Sequence, residues 1–369
     1  MLTSLRIQNF RSIRDASVKL GQVNLFIGPN NSGKSNFLKG IELLAEQQFE
    51  PYSPKDYETD LFGKLLFRKA GKFDNDLKGI PYGERIEFDV LANRGNFEFS
   101  YALRMQQELS KPSFPFSPYV VKPTLMTPDS EDKQEVSYQQ EVLSHQMHQV
   151  FIYKVQPTLF QGSSALSSAS KIAADGSNLV QFLFYLSQNY KSVFHRLEND
   201  LARCVGNLVA ISTPADPSEP GKLKLKFFDK NDIGYWAEEV SEGVLYFLAL
   251  LCIVHQPDPP KLLLLEEPEK GIHPRRIKEV MDFIFELARL RDIQIILTSH
   301  SPYVVDHFAD IPECISVFDR EEGETVIRNA ADIMAETNAA LAAGGQPPIR
   351  YSDGLGEHWV SGFLGGVPL

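Results

Sequence analysis

Cysteine is scarce in this sequence, and long hydrophobic runs are absent from it. Only three of the 369 residues are cysteines, at positions 204, 252 and 314. Because they are far apart and odd in number, they fit neither a disulfide framework nor a zinc site, and they favour a reducing compartment. The longest apolar run, residues 244–254, is too short to span a bilayer, and the first residues contain no apolar signal core. We therefore expect a cytoplasmic protein that makes no membrane contact.

Positive charge is also in short supply. The 37 lysines and arginines are outnumbered by 48 aspartates and glutamates, which gives a net charge of -11. The surface as a whole therefore does not attract a polyanion, and contact with DNA would need a local basic patch. Apolar content of 43% and charged content of 23% are ordinary for a globular protein. The length allows one large domain or two.

The first half of the chain alternates between clear and poor patterns. Short apolar segments predict strands in LRIQNF, ASVKL and VNLFIG, and a helix pattern follows over residues 36–48. Residues 50–170 give little pattern beyond a strand-like pair, RIEFDVLA and FEFSYALR. GSSALSSAS, residues 162–170, is of low complexity and predicts a mobile loop. One amphipathic helical stretch is predicted over residues 178–209.

The second half has a regular α/β pattern. KLKLKFF predicts a strand, VSEGVLYFLALLCIV a helix buried on all sides, and LLLL a buried strand. An amphipathic helix over residues 277–291 and the strand IQIILTSH follow. Strands that alternate with helices predict a parallel sheet whose functional residues lie at the carboxyl ends of the strands.

One loop has the pattern of a phosphate-binding loop. GPNNSGKS, residues 28–35, fits G-x-x-x-x-G-K-S, follows an apolar strand and opens a helix. Glycines allow backbone N–H groups to surround an anion, and the helix adds its positive end. Lys34 would reach the β- and γ-phosphates, and the Ser35 hydroxyl would bind Mg²⁺. The predicted ATP-contacting residues are Gly28, Pro29, Asn30, Asn31, Ser32, Gly33, Lys34, Ser35 and Asn36.

Two adjacent glutamates follow the LLLL strand. Ionised carboxylates at the end of a buried strand cost desolvation energy unless they are paired, although the strand could simply end in water. In a P-loop fold, Mg²⁺ needs a carboxylate at the end of a neighbouring buried strand. We therefore predict that Glu266 holds Mg²⁺ through a water molecule and that Glu267 orients or deprotonates the attacking water.

Several motifs together resemble the ABC-type ATPases of the SMC, RecF and OLD kind. In this sequence, NFRSI followed by LFIGPNNSGKSNFL resembles the opening of those proteins, and LLLLEEPEKGIHP resembles their Walker B motif and D-loop. Their switch-histidine strand is similar to IILTSHSPYVVD, and VSEGVLYFLALL lies where they carry the signature motif. The end, GEHWVSGFLGGVPL, is similar to that of stand-alone bacterial ATPases of this class. The resemblance covers about residues 1–48 and 230–369.

The resemblance implies a fold, a dimer and further site residues. It implies a P-loop NTPase of the ABC ATPase-head type with a mixed or parallel sheet, as one domain over residues 1–369, with an inserted helical and irregular subdomain at 50–220. It also implies a head-to-tail homodimer that encloses two ATP molecules. Ser241 and Gly243 of one chain would cap the phosphates held by Lys34 of the other. His300 would contact the γ-phosphate and the attacking water, and Gly271 and His273 would belong to the D-loop at the dimer interface.

The sequence also departs from the family pattern. The signature motif is Ser-Glu-Gly instead of Ser-Gly-Gly, so that Glu242 adds a negative charge near a phosphate. Glu266 replaces the aspartate of transporter-type ATPases. No convincing Q-loop is present, and for Gln161, the one candidate, a solvated loop residue is the favoured interpretation.

Other candidates have simpler structural interpretations. His300 could be a hydrogen-bonded histidine at a strand end, and Ser241 could be only a helix N-cap. His273 could be a plain turn residue. We expect Arg11 to be a surface arginine instead of a nucleotide contact.

Three functions remain open at the sequence level. The first is the ATPase subunit of a bacterial anti-phage defence system that controls a separate effector protein, possibly a nuclease. The second is a RecF-like repair ATPase that binds DNA, and the third is a nucleotide-sensing scaffold with little turnover. A built-in Toprim nuclease of the OLD type is not expected, because only 69 residues follow His300 and they contain no D-x-D.

Overall fold

The computed structural model describes residues 1–49, 85–94, 97–109, 119–126, 145–148, 150–270, 272–349 and 354–367. The chain divides into two compact units. Unit 1 comprises Met1–Val150, Lys261–Leu264 and Ile293–Leu369, and unit 2 comprises Phe151–Pro260 and Leu265–Asp292. The inserted subdomain expected at 50–220 extends over residues of both units and partly outside the described residues, so that it stays a prediction.

Sixteen strands are present in the described residues. They are β1 (Leu2–Phe10), β2 (Ile13–Lys19), β3 (Val23–Ile27), β4 (Arg85–Arg94), β5 (Phe97–Leu109), β6 (Tyr119–Met126), β7 (Ile152–Tyr153), β8 (Ser164–Ala165), β9 (Leu208–Ser212), β10 (Lys222–Leu223), β11 (Lys226–Asp229), β12 (Gly234–Trp236), β13 (Leu262–Glu266), β14 (Gln294–Thr298), β15 (Ile315–Glu321) and β16 (Glu324–Asn329).

Eight α-helices are present in the same part of the chain. They are α1 (Lys34–Phe49), α2 (Leu179–Asn189), α3 (Lys191–Val205), α4 (Glu242–Val254), α5 (Pro274–Arg291), α6 (Pro302–Asp306), α7 (Ala330–Ala343) and α8 (Leu355–Val360). None of the described helices combines the length and the apolar character needed to cross a membrane.

Unit 1 contains two sheets. The first is antiparallel, with the order β2-β1-β4-β5-β6. In the second sheet, the strands of this unit follow the order β16-β15-β3-β14-β13. Strand β3 pairs in parallel with β14 on one side and β15 on the other, whereas β16 returns antiparallel to β15. The α/β prediction with a mixed sheet is confirmed.

Aromatic packing fixes helix α1 against this second sheet. The ring centroids of Phe26 and Phe37 lie 5.6 Å apart and meet edge to face. Phe318 of β15 is 4.9 Å from Phe26 and 5.8 Å from Phe37. All three side chains are fully buried. Because such ring pairs add to the energy of burial, they fix the helix that begins at the end of the GPNNSGKS loop.

Unit 2 is built around helix α4. Every residue from Gly243 to Val254 is buried, as the uniformly apolar pattern predicts. Helix α5 begins after an extended His273 with Pro274 in its first turn, and it ends at Asp292, which has a left-handed φ of 50°. Unit 2 also contains a three-stranded sheet, β12-β11-β9, and a two-stranded ribbon, β10-β8.

Three local predictions were only partly right. The helical stretch expected at residues 178–209 contains two helices and ends in a strand, because Tyr190 has φ -135° and ψ 58° and cannot continue α2. KLKLKFF forms two strands instead of one, since the Lys224 N–H donates to the Pro214 carbonyl between them. The serine-rich segment is a loop apart from strand β8, which pairs with Lys222 and Leu223.

Candidate functional site

The loop of residues 28–35 has a backbone that only glycine permits at two positions. Gly28 has a φ of 144° and Gly33 a φ of 109°. A Cβ on Gly28 would lie 2.1 Å from the Phe318 carbonyl oxygen, and one on Gly33 would lie 2.2 Å from the Thr325 hydroxyl. The loop is therefore packed tightly against β15 and β16, and this packing fixes the directions of its N–H groups.

Lys34 is folded back over this loop. Its Nζ donates to the carbonyl oxygens of Gly28 at 2.8 Å and Pro29 at 2.9 Å, and the residue is only 6% exposed. The hydroxyl of Ser32 is buried and has no hydrogen-bond partner. A buried polar atom without a partner costs desolvation energy, and a phosphate oxygen that accepted a hydrogen bond from this hydroxyl would remove that cost. Helix α1 carries no acidic residue in its first turn that would offset its positive end.

His300 lies at the same sheet edge as the start of this loop. Strand β14 ends at Thr298, which is paired with Phe26 in the parallel neighbour β3. The Ser299 N–H donates to the Phe26 carbonyl at 3.1 Å, and the following His300 is exposed. The sheet thus brings the predicted switch histidine and the phosphate loop to the carboxyl ends of adjacent parallel strands, as the α/β pattern predicts.

Arg11 is half-buried, so that the expectation of a surface arginine was wrong. It occupies the hairpin turn between β1 and β2 with a left-handed φ of 52°. Its Nη1 donates to Asn36 Oδ1 at 3.4 Å, while its Nε is buried without a partner. Burial lowers the pKa of its guanidinium, and the charge of Glu42 opposes this shift. Asn36 also donates to the Ser12 hydroxyl at 2.8 Å, so that the hairpin turn is fixed to the start of helix α1.

The two glutamates after the LLLL strand differ in their surroundings. Glu266 is partly buried, and its Oε2 lies 3.4 Å from the ammonium of Lys154. Glu267 has a φ of 50°, a left-handed conformation that costs a non-glycine residue roughly 1–3 kcal/mol. Its Oε2 lies 3.4 Å from the Lys270 ammonium. Backbone strain of this kind concentrates at functional positions, which fits the predicted role of Glu267 in activating water.

Ser241 occupies the N-cap position of α4 but does not cap it. Its side chain makes no hydrogen bond to the helix N-terminus, and its Oγ accepts from Arg276 Nη1 at 3.1 Å. A Cβ on Gly243 would touch only the Arg276 Cδ, at 3.8 Å. Both Ser241 and Arg276 line a cavity of about 800 Å³ within unit 2. The hydroxyl and the guanidinium together form a group suited to an anionic ligand.

The remaining predicted residues are more peripheral. Gly271 lies outside the described residues. His273 is exposed at the N-cap position of α5, and its Nδ1 accepts from the Arg275 N–H at 3.3 Å. A histidine with only a local structural role would make the same contact. Gln161 follows the short 3-10 helix Pro157–Phe160 and is partly exposed. The roles predicted for all three stay predictions.

Magnesium would be held by few protein groups. In the described part of the chain, no three His, Cys, Asp or Glu side chains cluster as a metal site would require. The predicted set is one hydroxyl, Ser35, and one carboxylate, Glu266. Hydroxyl, carboxylate and phosphate oxygens with retained water are what Mg²⁺ prefers in nucleotide sites. The lysine beside Glu266 shows that this carboxylate already binds positive charge. The metal role of both residues stays a prediction.

Sequence reasoning missed two cationic partners of the site residues. Lys154 pairs with Glu266 from a segment without any motif, and no sequence signal indicates it. Arg276 pairs with Ser241, and its place just after the HP dipeptide of the D-loop was the available clue. Both contacts join residues distant in the chain, which periodicity cannot register.

The chain is similar to known proteins over different extents. It is 31% identical over 78 residues to the energy-coupling factor transporter ATP-binding protein EcfA2 of Clostridium perfringens, which covers 21% of this chain and 26% of that protein. It is 38% identical over 64 residues to the uncharacterized protein MJECL44 of Methanocaldococcus jannaschii, or 17% of this chain and 19% of that one. The match thus spans about a quarter or less of either relative.

Solved structures resemble most of the chain. The SMC head domain from Thermotoga maritima superposes with a TM-score of 0.53 and 13% identity, covering 89% of this chain and 98% of that one. A Pyrococcus furiosus SMC head domain with an extended coiled coil, bound to the C-terminal domain of ScpA, gives a TM-score of 0.53 and 14% identity, covering 92% and 99%. At these identities the likeness establishes the fold alone.

A family model covers the part of the chain between strand β3 and helix α6. The model described as "AAA domain, putative AbiEii toxin, Type IV TA system" matches residues 23–306, which is more than half of the chain and includes the phosphate loop, the signature segment, the paired glutamates and His300. The chain therefore belongs to this AAA domain family, and its fold is the P-loop fold of the SMC head domains.

Proposed function

We propose that the protein hydrolyses ATP as a head-to-tail homodimer and uses its nucleotide state to control a separate effector. The phosphate loop of one chain would bind the phosphates, and Ser241 and Gly243 of the second chain would cap them. The dimer would contain two such sites. The ATPase class comes from the family match, and the dimer and the effector are the proposed part.

The proposed dimer is supported chiefly by the hydrogen bonding of Ser241. A serine at an N-cap position normally accepts from its own helix, and here it does not. Gly243 has room for a methyl group, so that neither φ nor packing requires glycine there. A small residue and an uncommitted helix N-terminus suit the close approach of an anion from outside the chain. The γ-phosphate of a nucleotide bound to a second copy is such an anion.

The hydrolytic step divides among a few side chains. Lys34 would leave its carbonyl partners to neutralise charge on the β- and γ-phosphates, and Ser32 would donate its unpartnered hydroxyl to a phosphate oxygen. Glu267 would accept a proton from, or orient, the attacking water, and His300 would donate to the γ-phosphate. Mg²⁺, held by Ser35 and Glu266, would supply positive charge on the phosphate oxygens.

The Glu267→Gln variant tests the dimer and the base together. Glutamine keeps the size of the side chain but cannot accept the proton, so that we expect ATP binding to remain and hydrolysis to fall by orders of magnitude. The variant should then accumulate as an ATP-bound dimer in light scattering. Glu286→Gln makes the same change at an exposed carboxylate of α5. It is the control and should behave as the unmodified protein. Unchanged turnover would remove Glu267 as the base, and a monomer in saturating ATP would remove the dimer.

The proposed setting is an anti-phage defence system, and the family description and the fold support its two-component arrangement. The family description names the AbiEii toxin and a Type IV toxin–antitoxin system, which are two-component settings. SMC heads of the same fold bind a domain of a second protein, ScpA. Purification of the protein from its native cell, with ATP and with the Glu267→Gln variant, should recover one defined polypeptide partner. Its absence in every nucleotide state would contradict the control of an effector.

Glu242 supports one second function. It adds a carboxylate directly beside Ser241, where it would repel a phosphate, and slow turnover would suit a nucleotide-sensing scaffold. Turnover that is equal in the unmodified protein and in Glu267→Gln, with ATP bound by both, would favour this scaffold. A RecF-like DNA clamp is less well supported, because the net charge is -11. ATP-stimulated DNA binding with a steep salt dependence would reverse that order.

A further inference from the structure

Residues 354–367, here called the closing segment, have no part in the chemistry described so far. The segment comprises helix α8 and the turns that follow it, and three apolar side chains anchor it. Leu355, Trp359 and Leu364 are each at most 4% exposed. Five glycines lie in the same short stretch, which is far more than packing of an ordinary surface helix requires. One end of the segment lies against the helix that follows His300, and the other lies against the phosphate loop.

The first end contacts helix α6, which begins two residues after His300. The Gly356 N–H donates to Asp306 Oδ1 at 2.8 Å. A Cβ on Gly356 would lie 2.2 Å from the carbonyl oxygen of Pro302. Because a backbone oxygen cannot move aside as a flexible side chain can, glycine is required here by space alone. The backbone of the closing segment therefore fixes the start of α6.

The second end contacts the phosphate loop. Gly366 has a φ of 64°, and a Cβ on it would lie 2.7 Å from Val317 Cγ1 and 3.4 Å from the Gly28 Cα. The same Cβ would lie 3.1 Å from the Phe318 carbonyl oxygen, which also excludes a Cβ from Gly28. Three backbones, those of Gly28, Phe318 and Gly366, thus converge at one point. The Val317 side chain lies at the same point, and the Gly366 N–H donates to Asp319 Oδ2 at 3.4 Å, so that the segment is also joined to β15.

We propose that the closing segment positions the ATP site from both ends. Gly366 would be a positioning residue for nucleotide binding, because it supports Gly28 from behind. Gly356 would be a positioning residue for hydrolysis, because it fixes the helix that follows His300. Close-packed interiors transmit small shifts instead of absorbing them, and a displacement of about 1 Å near the chemistry can cost ~100-fold in rate. The Gly356 half rests on the role proposed for His300, whereas the Gly366 half rests only on the phosphate loop.

Adjacent glycines provide a matched test of the second end. Gly365 has a φ of 70°, and a Cβ on it would meet nothing within 4 Å. Gly365→Ala therefore introduces the same backbone strain as Gly366→Ala without the steric contact. We expect Gly366→Ala to raise the KM and the Kd for ATP by about 10-fold or more, and Gly365→Ala to change them by less than about twofold. Equal effects of the two variants on ATP affinity, at any thermal stability, would overturn this half.

The first end has its own pair of variants. Gly356→Ala adds the clashing methyl group, and Asp306→Ala removes the acceptor of the Gly356 N–H without adding an atom, so that the second remains informative if the first does not fold. Both should lower kcat while the Kd for ATP is unchanged, whereas Gly344→Ala, whose Cβ makes ordinary contacts from 3.4 Å, should change neither.

His300→Ala, measured in parallel, separates this proposal from the proposed function. If His300→Ala lowers kcat and Asp306→Ala does not, the positioning role of the first end is overturned and His300 keeps its role. If His300→Ala leaves kcat unchanged, the role of His300 falls, and the Gly356 half of the proposal falls with it. The Gly366 half is then decided by its own pair of variants.

Discussion

The phosphate loop and the signature segment both contain glycines at motif positions. The fold requires the glycines of the phosphate loop, but it does not require the glycine of the signature segment. At Gly28 and Gly33 the backbone has positive φ, and a Cβ would meet other atoms at 2.1 and 2.2 Å. At Gly243 the φ is ordinary, and the closest contact of a Cβ would be 3.8 Å away. The first two glycines are needed by the fold, whereas the third is not needed by any described part of it.

This difference indicates what kind of partner each region has. A loop whose own fold requires its glycines is built before the ligand arrives, and its N–H groups are already directed at an anion. A glycine that the fold does not require must be explained by something that approaches from outside. Substitutions of the loop glycines should therefore lower both stability and ATP binding, whereas substitution of Gly243 should lower ATP turnover without lowering stability.

The Lys34→Ala substitution should give the largest effect. It removes the ammonium that donates to the loop carbonyls of Gly28 and Pro29. We expect ATP affinity to fall at least ~100-fold, because a charge-assisted contact to two phosphates is lost. Isothermal calorimetry with ATP and Mg²⁺ measures the change, and Lys39→Ala, at an exposed position of α1, is the control. Full affinity in the variant would reject the phosphate-loop role.

The Gly33→Ala substitution should impair both stability and binding. The methyl group would meet Thr325 Oγ1 at 2.2 Å, and alanine is strained at a φ of 109°. Strain and overpacking together should lower the free energy of unfolding by roughly 2–4 kcal/mol, and ATP affinity should fall with it. Urea denaturation measures the stability.

The double variant Gly33→Ala, Thr325→Ala divides this cost into its parts. Thr325→Ala removes the two closest atoms, Oγ1 and Cγ2, but neither the Cβ at 3.0 Å nor the φ strain, so that stability should recover in part. Thr325→Ala alone supplies the correction for the lost hydrogen bond to Ser12, which is 2.8 Å long. No recovery beyond that correction would show that backbone strain alone accounts for the loss.

The sequence was informative wherever the signal is local. The LLLL strand, the buried helix α4 and the GPNNSGKS loop were predicted because their pattern lies in adjacent residues. The half-buried state of Arg11 depends on Asn36, and the pairs of Glu266 with Lys154 and of Ser241 with Arg276 also join distant positions. Tertiary contacts of this kind leave no period in the sequence.

The Gly243→Ala substitution should separate the two regions most sharply. Because the position is helical and has space, we expect a stability that is unchanged or higher by up to about 1 kcal/mol. ATP turnover should nevertheless fall about 10-fold, since the methyl group would stand where a phosphate bound to a second chain is proposed to approach. Gly162→Ala, in open space, is the control. A loss of stability would break the comparison with Gly33, and unchanged turnover would remove Gly243 from the site.

The Arg276→Ala substitution should have the smallest effect, and it sharpens what the signature segment does. Arg276 is exposed and donates to the Ser241 hydroxyl at 3.1 Å, so that its loss should change stability by no more than about 0.5 kcal/mol. Turnover should fall about 3- to 10-fold, because the guanidinium orients the serine oxygen and places a positive charge beside the neighbour of Glu242.

The neighbouring residue provides the control for this last prediction. Arg275→Ala removes the same charge one position earlier, at an exposed side chain, and should leave turnover unchanged. Arg276→Lys distinguishes charge from geometry: it keeps the positive charge but loses the planar fork, so that full rescue would indicate screening of Glu242 and no rescue would indicate orientation of Ser241. Equal losses of turnover for Arg275→Ala and Arg276→Ala would show that only the net positive charge matters. The hydrogen bond from Arg276 to Ser241 would then have no specific role in turnover.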